Sequence, residues 1–224
     1  MDATVICIGD ELLSGDITDL NSVWLAKRLT DNGVIVRKML VIPDDVDVIA
    51  NEIRSAMTDS IIVTGGLGPT HDDITRYGIA KAAGVSIVRD PEAVKVVERC
   101  KSRNPEVYIM ADIPDGSEVI PNPAGAAPGF IVDGKIFVFP GVPKEMKAMF
   151  ELVEDRLKGK TLTVEWIITR RYESDIVSVL NEAVKLFPNV TFGSYPSEVV
   201  KIKMKSYDPE QVRLAKEWLA PRLS

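Results

Sequence analysis

One histidine, two cysteines and no long apolar run mark this 224-residue chain more clearly than anything it has in excess. Cys7 and Cys100 lack Cys-x-x-Cys spacing, and His71 is the only histidine. Neither a zinc site nor a disulfide scaffold is expected, and a reduced, cytoplasmic protein is the default reading. Apolar runs such as Ile61-Ile62-Val63 end within a few residues, which excludes a membrane-spanning helix and any membrane partner of that kind. The start, Met1-Asp2-Ala3-Thr4, has no basic segment before its first apolar residues and so no signal-peptide profile. There is also no surplus of positive charge: 27 Lys and Arg face 33 Asp and Glu, a net −6. That balance argues against a nucleic-acid partner.

What is present suffices for a globular core, because 46% of the residues are hydrophobic, and it excludes disorder. The charge is uneven. Residues 160–224 hold 10 basic and 8 acidic side chains (+2), whereas residues 1–159 hold 17 and 25 (−8). A phosphate-bearing ligand of the first part must therefore be held by backbone amides or through a divalent cation.

Residues 1–159 alternate β-branched runs with amphipathic stretches. Residues 4–8, 34–42 and 60–64 pattern as strands, the last apolar enough for the centre of a parallel sheet. Helices are expected at 22–32, with Val23, Trp24, Ala26 and Leu29 available for an apolar stripe, at about 45–57, at 72–83 and at 91–101. Gly33 and Gly84 act as left-handed stops for the first and third of these. A hairpin follows at 129–139, turned by Asp133-Gly134, and then a helix at 143–158. This rhythm predicts an α/β domain with a mostly parallel sheet flanked by helices. Gly159-Lys160 is the expected boundary. Beyond it a strand, a helix, two strands and a helix form a small α+β unit of βαββα order.

Three segments carry the chemistry. The first is Thr64-Gly65-Gly66-Leu67-Gly68-Pro69-Thr70-His71-Asp72-Asp73-Ile74-Thr75, between a buried strand and a helix start. Ligands of open α/β sheets bind there, beyond the carboxyl ends of the strands. Glycines let backbone N–H groups approach an anion, and a helix N-terminus favours it. A Walker A loop and a dinucleotide fingerprint are both absent. The plain structural alternative, a tight turn with Thr70 as cap and Asp73 as its capping-box partner, explains one aspartate but not three glycines and two carboxylates. Amides of Gly65, Gly66 and Gly68 with the Thr70 hydroxyl form the expected phosphate cradle. A side chain at Gly66 is expected to obstruct the ligand rather than the fold.

The second segment, Gly9-Asp10-Glu11-Leu12-Leu13-Ser14-Gly15, also follows a strand. Asp10, Glu11 and Ser14 are ligand candidates if it converges with the glycine loop; a solvated strand end is the alternative. Asn21, which opens the next helix, is either an ordinary cap or a donor to the ligand. The third segment comprises Asn122 with Gly125 to Gly129, and Pro140-Gly141-Val142-Pro143-Lys144-Glu145-Met146. Lys144 in a first helical turn opposes the dipole, which points to an anionic neighbour or to a snorkelling surface lysine.

These motifs, in this order, resemble the CinA family, whose N-terminal module has the molybdopterin-binding fold of MogA- and MoaB-type proteins. The resemblance spans about residues 3–158, and residues 160–224 resemble the KH-like domain that follows in CinA proteins. It implies a metal-dependent nucleotide pyrophosphatase that hydrolyses ADP-ribose or a similar nucleotide sugar to AMP and a sugar phosphate, and a homo-oligomer. The implied cofactor is a divalent ion, Mg²⁺, Mn²⁺ or Co²⁺. The nicotinamide-mononucleotide deamidase domain of many CinA proteins has no counterpart up to Ser224, so that activity is not expected.

Breaking a pyrophosphate requires charge neutralisation and a positioned water, which a carboxylate-held cation supplies. Glu11, Asp72 and Asp73 are the candidate metal or base residues, with Gly141, Asn122 and Lys144 among the ligand contacts. Asp72 is expected to face the ligand and Asp73 to cap the helix or support the site. A second reading is molybdopterin binding without cleavage. A third, RNA binding through the KH-like unit, ranks last because the Gly-x-x-Gly loop is absent from 160–224.

Overall fold

The computed structural model describes residues 1–102 and 104–223; Arg103 and Ser224, the last residue of the expected second domain, lie outside them. In chain order the elements begin β1 (Asp2–Ile8), α1 (Asp10–Leu13), α2 (Asn21–Asp31), β2 (Ile35–Ile42), α3 (Val46–Ser55), β3 (Ser60–Thr64) and α4 (Thr75–Ala83). They continue with β4 (Ile87–Arg89), α5 (Pro91–Glu98), β5 (Asp112–Pro114), β6 (Glu118–Ile120), β7 (Gly129–Val132), β8 (Ile136–Phe139) and α6 (Pro143–Val153). The last are β9 (Thr163–Thr169), α7 (Glu173–Leu186), β10 (Thr191–Pro196), β11 (Val200–Ser206) and α8 (Pro209–Leu223). The chain divides into two units, Met1–Gly159 and Lys160–Ser224. Among the described residues no helix is long and apolar enough to cross a membrane.

The first unit is built on a six-stranded sheet of order β2-β1-β3-β8-β7-β6. The pairs β2·β1, β1·β3 and β3·β8 are parallel, and β8·β7 and β7·β6 are antiparallel. The all-apolar centre of β3 is explained by cover on both faces. Ile61 and Val63 pack with Ile49 of α3 and Ile79 of α4, whereas Ile62 packs with Leu25 of α2 and Phe150 of α6. This is a three-layer α/β domain with a mixed, mostly parallel sheet. Asp133 (φ 53) and Gly134 (φ 64) make the left-handed turn between β7 and β8.

Two helices differ from their sequence patterns. In α2 the core-facing stripe runs Asn21–Leu25–Leu29 rather than through Val23, which is 65% exposed. The four-residue spacing is kept, but a polar residue holds its first position at the strand ends. The helix expected from Asp72 starts at Thr75, because the carboxylate of Asp73 is engaged by the preceding loop.

In the second unit, β10, β11 and β9 form an antiparallel sheet in that order. α7 and α8 cover one face, burying Ile167, Ile202 and Met204 against Ile176, Val212 and Leu219.

Candidate functional site

The carboxyl ends of β1, β3 and β8 open into a cavity of about 600 Å³. Polar contacts tie the strand ends together. Thr64 Oγ1 donates to the Pro140 carbonyl (2.9 Å), and Asn21 Nδ2 donates to Thr64 Oγ1 (3.1 Å) and to the Gly141 carbonyl (2.7 Å). The Asn21 Oδ1 is buried and has no partner among the described residues. Asn21 is thus a brace between two strands rather than a plain helix cap.

The glycine loop is held from inside. Gly65 adopts φ +113, and a Cβ there would lie 2.1 Å from the Ile8 carbonyl oxygen. Gly66 adopts φ +62, and a Cβ there would lie 2.3 Å from Thr75 Oγ1. The expectation that a side chain at Gly66 obstructs only the ligand is therefore corrected, since it strains the fold first. Asp73 accepts from the Gly68 N–H (2.7 Å), the Thr70 N–H (2.9 Å) and the Thr70 hydroxyl. The donors of Gly68 and Thr70 are therefore spent on Asp73, and Thr70 does not line the cavity.

Arg76 completes this scaffold. The residue is 1% exposed, and its guanidinium donates to the carbonyls of Leu67 (2.6 Å), Gly68 (2.9 Å) and Ile109 (2.9 Å). Burial lowers its pKa from the usual arginine value. The Gly65 N–H donates to the Phe139 carbonyl (3.1 Å), so the expected cradle of Gly65, Gly66 and Gly68 amides is corrected. With the Leu67 and Gly68 carbonyls turned onto Arg76, the loop keeps the N–H groups of Gly66 and Leu67 to present elsewhere.

The acidic side of the cavity is looser. Glu11, Asp44 and Asp72 line it together with Asp19, Asp73 and Glu145, and among the described residues no Lys or Arg lines it. Asp44 and Asp10 are joined reciprocally: the Asp10 N–H donates to Asp44 Oδ2 (3.0 Å) and the Asp44 N–H to Asp10 Oδ1 (3.4 Å). Burial raises the Asp44 pKa, and the negative charges of Asp10, Glu11 and Asp72 raise it further, against the Asp10 amide.

A divalent cation would relieve this repulsion. The donor set is hard carboxylate oxygen, and Cys7 is unsuited because burial holds its thiol protonated far above the ordinary range. Among the described residues no three His, Cys, Asp or Glu side chains are already gathered to hold an ion. The residues fit an ion of the Mg²⁺ kind, which takes one or two carboxylates and completes its shell with water and substrate phosphate.

Of the sequence candidates, Glu11, Asn21, Gly65, Gly66, Gly68, Asp72, Asp73 and Gly141 line the cavity. Asp10, Ser14, Thr70, Asn122 and Lys144 do not. Ser14 bonds Asp16 at the surface (2.6 Å), and Lys144 is exposed. Asn122 acts from behind, donating to the Ala127 carbonyl (2.8 Å) and to Glu145 Oε2 (2.7 Å). Asp44 and Arg76 escaped sequence reasoning. In Asp44-Asp45 the second residue caps α3, accepting from Asp47 and Val48, so the first is not needed as a cap and lines the cavity while accepting from the Asp10 N–H. Arg76 is a cation in the first turn of a helix, the same dipole conflict that drew attention to Lys144.

Residues 4–159 match the family described as probable molybdopterin binding domain, and residues 161–224 match the FAD synthase middle domain. An Archaeoglobus fulgidus protein is 40% identical over 218 residues, covering 96% of this chain and 95% of that one. A CinA-like protein of Frankia casuarinae is 44% identical over 165 residues, which are 67% of this chain and 38% of that protein. Among solved structures, the CinA protein of Thermoplasma acidophilum, described as of unknown function, is 37% identical with a TM-score of 0.67. It is matched over its whole length by 71% of this chain. Fold and cavity thus define a small-molecule-binding α/β domain. The chain belongs to the probable molybdopterin-binding domain family, among its CinA-like members. For residues 161–224 the matching family is a FAD synthase middle domain, where the sequence pattern resembles a KH-like one.

Proposed function

We propose that the first unit is a metal-dependent pyrophosphatase that hydrolyses ADP-ribose or a similar nucleotide sugar to AMP and a sugar phosphate. The observation that carries this reading is a cavity at the strand ends lined by several carboxylates and, among the described residues, by no cationic side chain, beside a rigid glycine loop. A pyrophosphate enters such a site only with a cation to neutralise it. One or two of Glu11, Asp44 and Asp72 would hold the ion; when bound, it supplies charge neutralisation of the phosphates and an acidified water. The chain's own residues do the rest. Gly66 and Leu67 present backbone N–H groups to the phosphate, on a loop held in place by Arg76 and Asp73. One ionised carboxylate takes a proton from the attacking water, and the apolar wall around Ile17, Leu20 and Val142 receives the base.

Release of AMP from ADP-ribose in Mg²⁺, Mn²⁺ or Co²⁺, suppressed by chelator and by Asp72→Asn, is the expected result. Absence of AMP with all three ions would overturn the reading. The family description favours molybdopterin binding without cleavage as the second reading; binding of the pterin in calorimetry, with no nucleotide turnover, would establish it.

A further inference from the structure

The second unit has a face that this chemistry does not use. α7 and α8 cover one side of its sheet. The other side is read from the register. Lys205 pairs with Val164 and Thr191, Lys203 with Trp166 and Gly193, and Lys201 with Ile168 and Tyr195. Because side chains alternate along a strand, these nine residues share one face, opposite buried Ile202 and Met204. Three lysines run down the central strand, and none of the nine positions is acidic. The unit's eight acidic residues fall on α7 and α8, in turns, or at inward Glu165, which is paired with Lys216 of α8 (2.8 Å).

The lysines are interleaved with rings. Trp166 is 43% exposed, Tyr195 51% and Ile168 64%. The Trp166 and Tyr195 rings lie 5.5 Å apart across the lysine strand. Lys203 Nζ sits 5.3 Å from the Trp166 centroid. Gly193 leaves the space that Tyr195 occupies, since a Cβ there would lie 3.1 Å from the Tyr195 ring.

We infer that this face is a platform for single-stranded nucleic acid. Lysines two residues apart on a strand are roughly 7 Å apart, which suits successive phosphates of an extended single strand. Exposed rings beside them offer stacking to unpaired bases. Other occupants fit less well. A second copy of the sheet would bring six lysines together with no carboxylate between them, an acidic peptide would leave the rings unstacked, and a duplex hides its base faces. The net −6 that argued against nucleic acid averages over the whole chain, and the missing Gly-x-x-Gly loop concerns a different surface. Neither describes this face.

The test is fluorescence anisotropy of a labelled 20-nucleotide oligo(dT) with the full chain in EDTA, against a duplex of equal length. Saturable single-strand binding is expected, falling with salt at a log–log slope of about −2 for three phosphates. Trp166→Ala and Lys203→Glu, both on the exposed face, should each weaken it about tenfold while melting temperature and nucleotide turnover stay unchanged. Four results would each overturn the inference. These are no saturable binding in 50 mM salt, binding equal in wild type and both variants, equal affinity for duplex, and a dimer that Lys203→Glu dissociates in a chain that binds no oligonucleotide.

Discussion

Two loops leave the same sheet edge, one after β1 and one after β3, and they are built in opposite ways. The loop after β3 is fixed by two left-handed glycines, a carboxylate accepting three donors and a buried guanidinium. The loop after β1 carries Asp10 and Glu11 on a four-residue helix with no buried residue, tied mainly by the Asp10–Asp44 pair. Backbone donors serve an anion only if they are preorganised, because each N–H has one direction. Carboxylates around an ion can adjust as coordination changes. The contrast is between a rigid cradle and an adaptable acidic arm. Substitutions in the cradle should therefore be read in stability, and those in the arm in turnover.

The largest effect is expected at Gly65. Gly65→Ala places a Cβ against the Ile8 carbonyl at a φ that side chains rarely adopt. It should cost about 4 kcal/mol or more, seen as insoluble expression or a melting temperature lowered by more than about 10 °C. Arg76→Met comes next, because it leaves the Leu67 and Gly68 carbonyls without their donor in a buried setting, while Ile109 keeps the Asp112 N–H. A loss of about 3 kcal/mol should lower the melting temperature by roughly 8 °C. A melting curve like wild type would mean that the loop holds itself.

On the acidic arm, Asp44→Asn should abolish metal-dependent turnover yet raise the melting temperature at neutral pH by about 2 °C. The sign follows from linkage. The folded-state pKa of Asp44 lies above its ordinary value, so the unfolded chain gives up this proton at lower pH. Stability is therefore lost as pH rises from the ordinary aspartate value through the folded one. The gain from Asn should vanish below that window, which unfolding at pH 3 and pH 8 would check. For the same reason, the metal concentration needed for half-maximal turnover in the wild type should rise on acidification from a higher pH than an ordinary aspartate would dictate. Glu11→Gln is expected to leave the melting temperature within about 1 °C while turnover drops at least about a hundredfold. A large shift in melting with retained AMP release would erase the distinction between cradle and arm.

Much of this organisation is legible in the residue pattern, and the misses have physical reasons. Ser60–Thr64 announces a doubly covered central strand, and Gly33 and Gly84 stop their helices in the left-handed conformation, as their φ values of 77 and 72 show. The start of α4 was hidden because Thr70 and Asp73 satisfy a capping pattern in a loop, one turn before the helix begins. The three-residue strands β4, β5 and β6 are too short to display alternation. Asn21 looked like a cap because its spacing to Leu25 and Leu29 matters only once the strand ends beneath it are known. The lysines of β11 were counted in a sum, where placement on alternate residues does not register.

The braces Thr64–Pro140 and Asn21–Gly141 join residues 76 and 120 positions apart. A chain emerging from the ribosome therefore exposes both the acidic arm and the glycine loop well before β8 exists to align them. Until Gly141 has been translated there is no pocket, and a ligand cannot stabilise the growing chain through it. The long-range closure of β3 onto β8 must be driven by strand pairing and by burial of Ile61, Ile62 and Val63 with Ile136, Phe137 and Val138, without help from a ligand. Ligand can act only afterwards, as a lock on the finished domain.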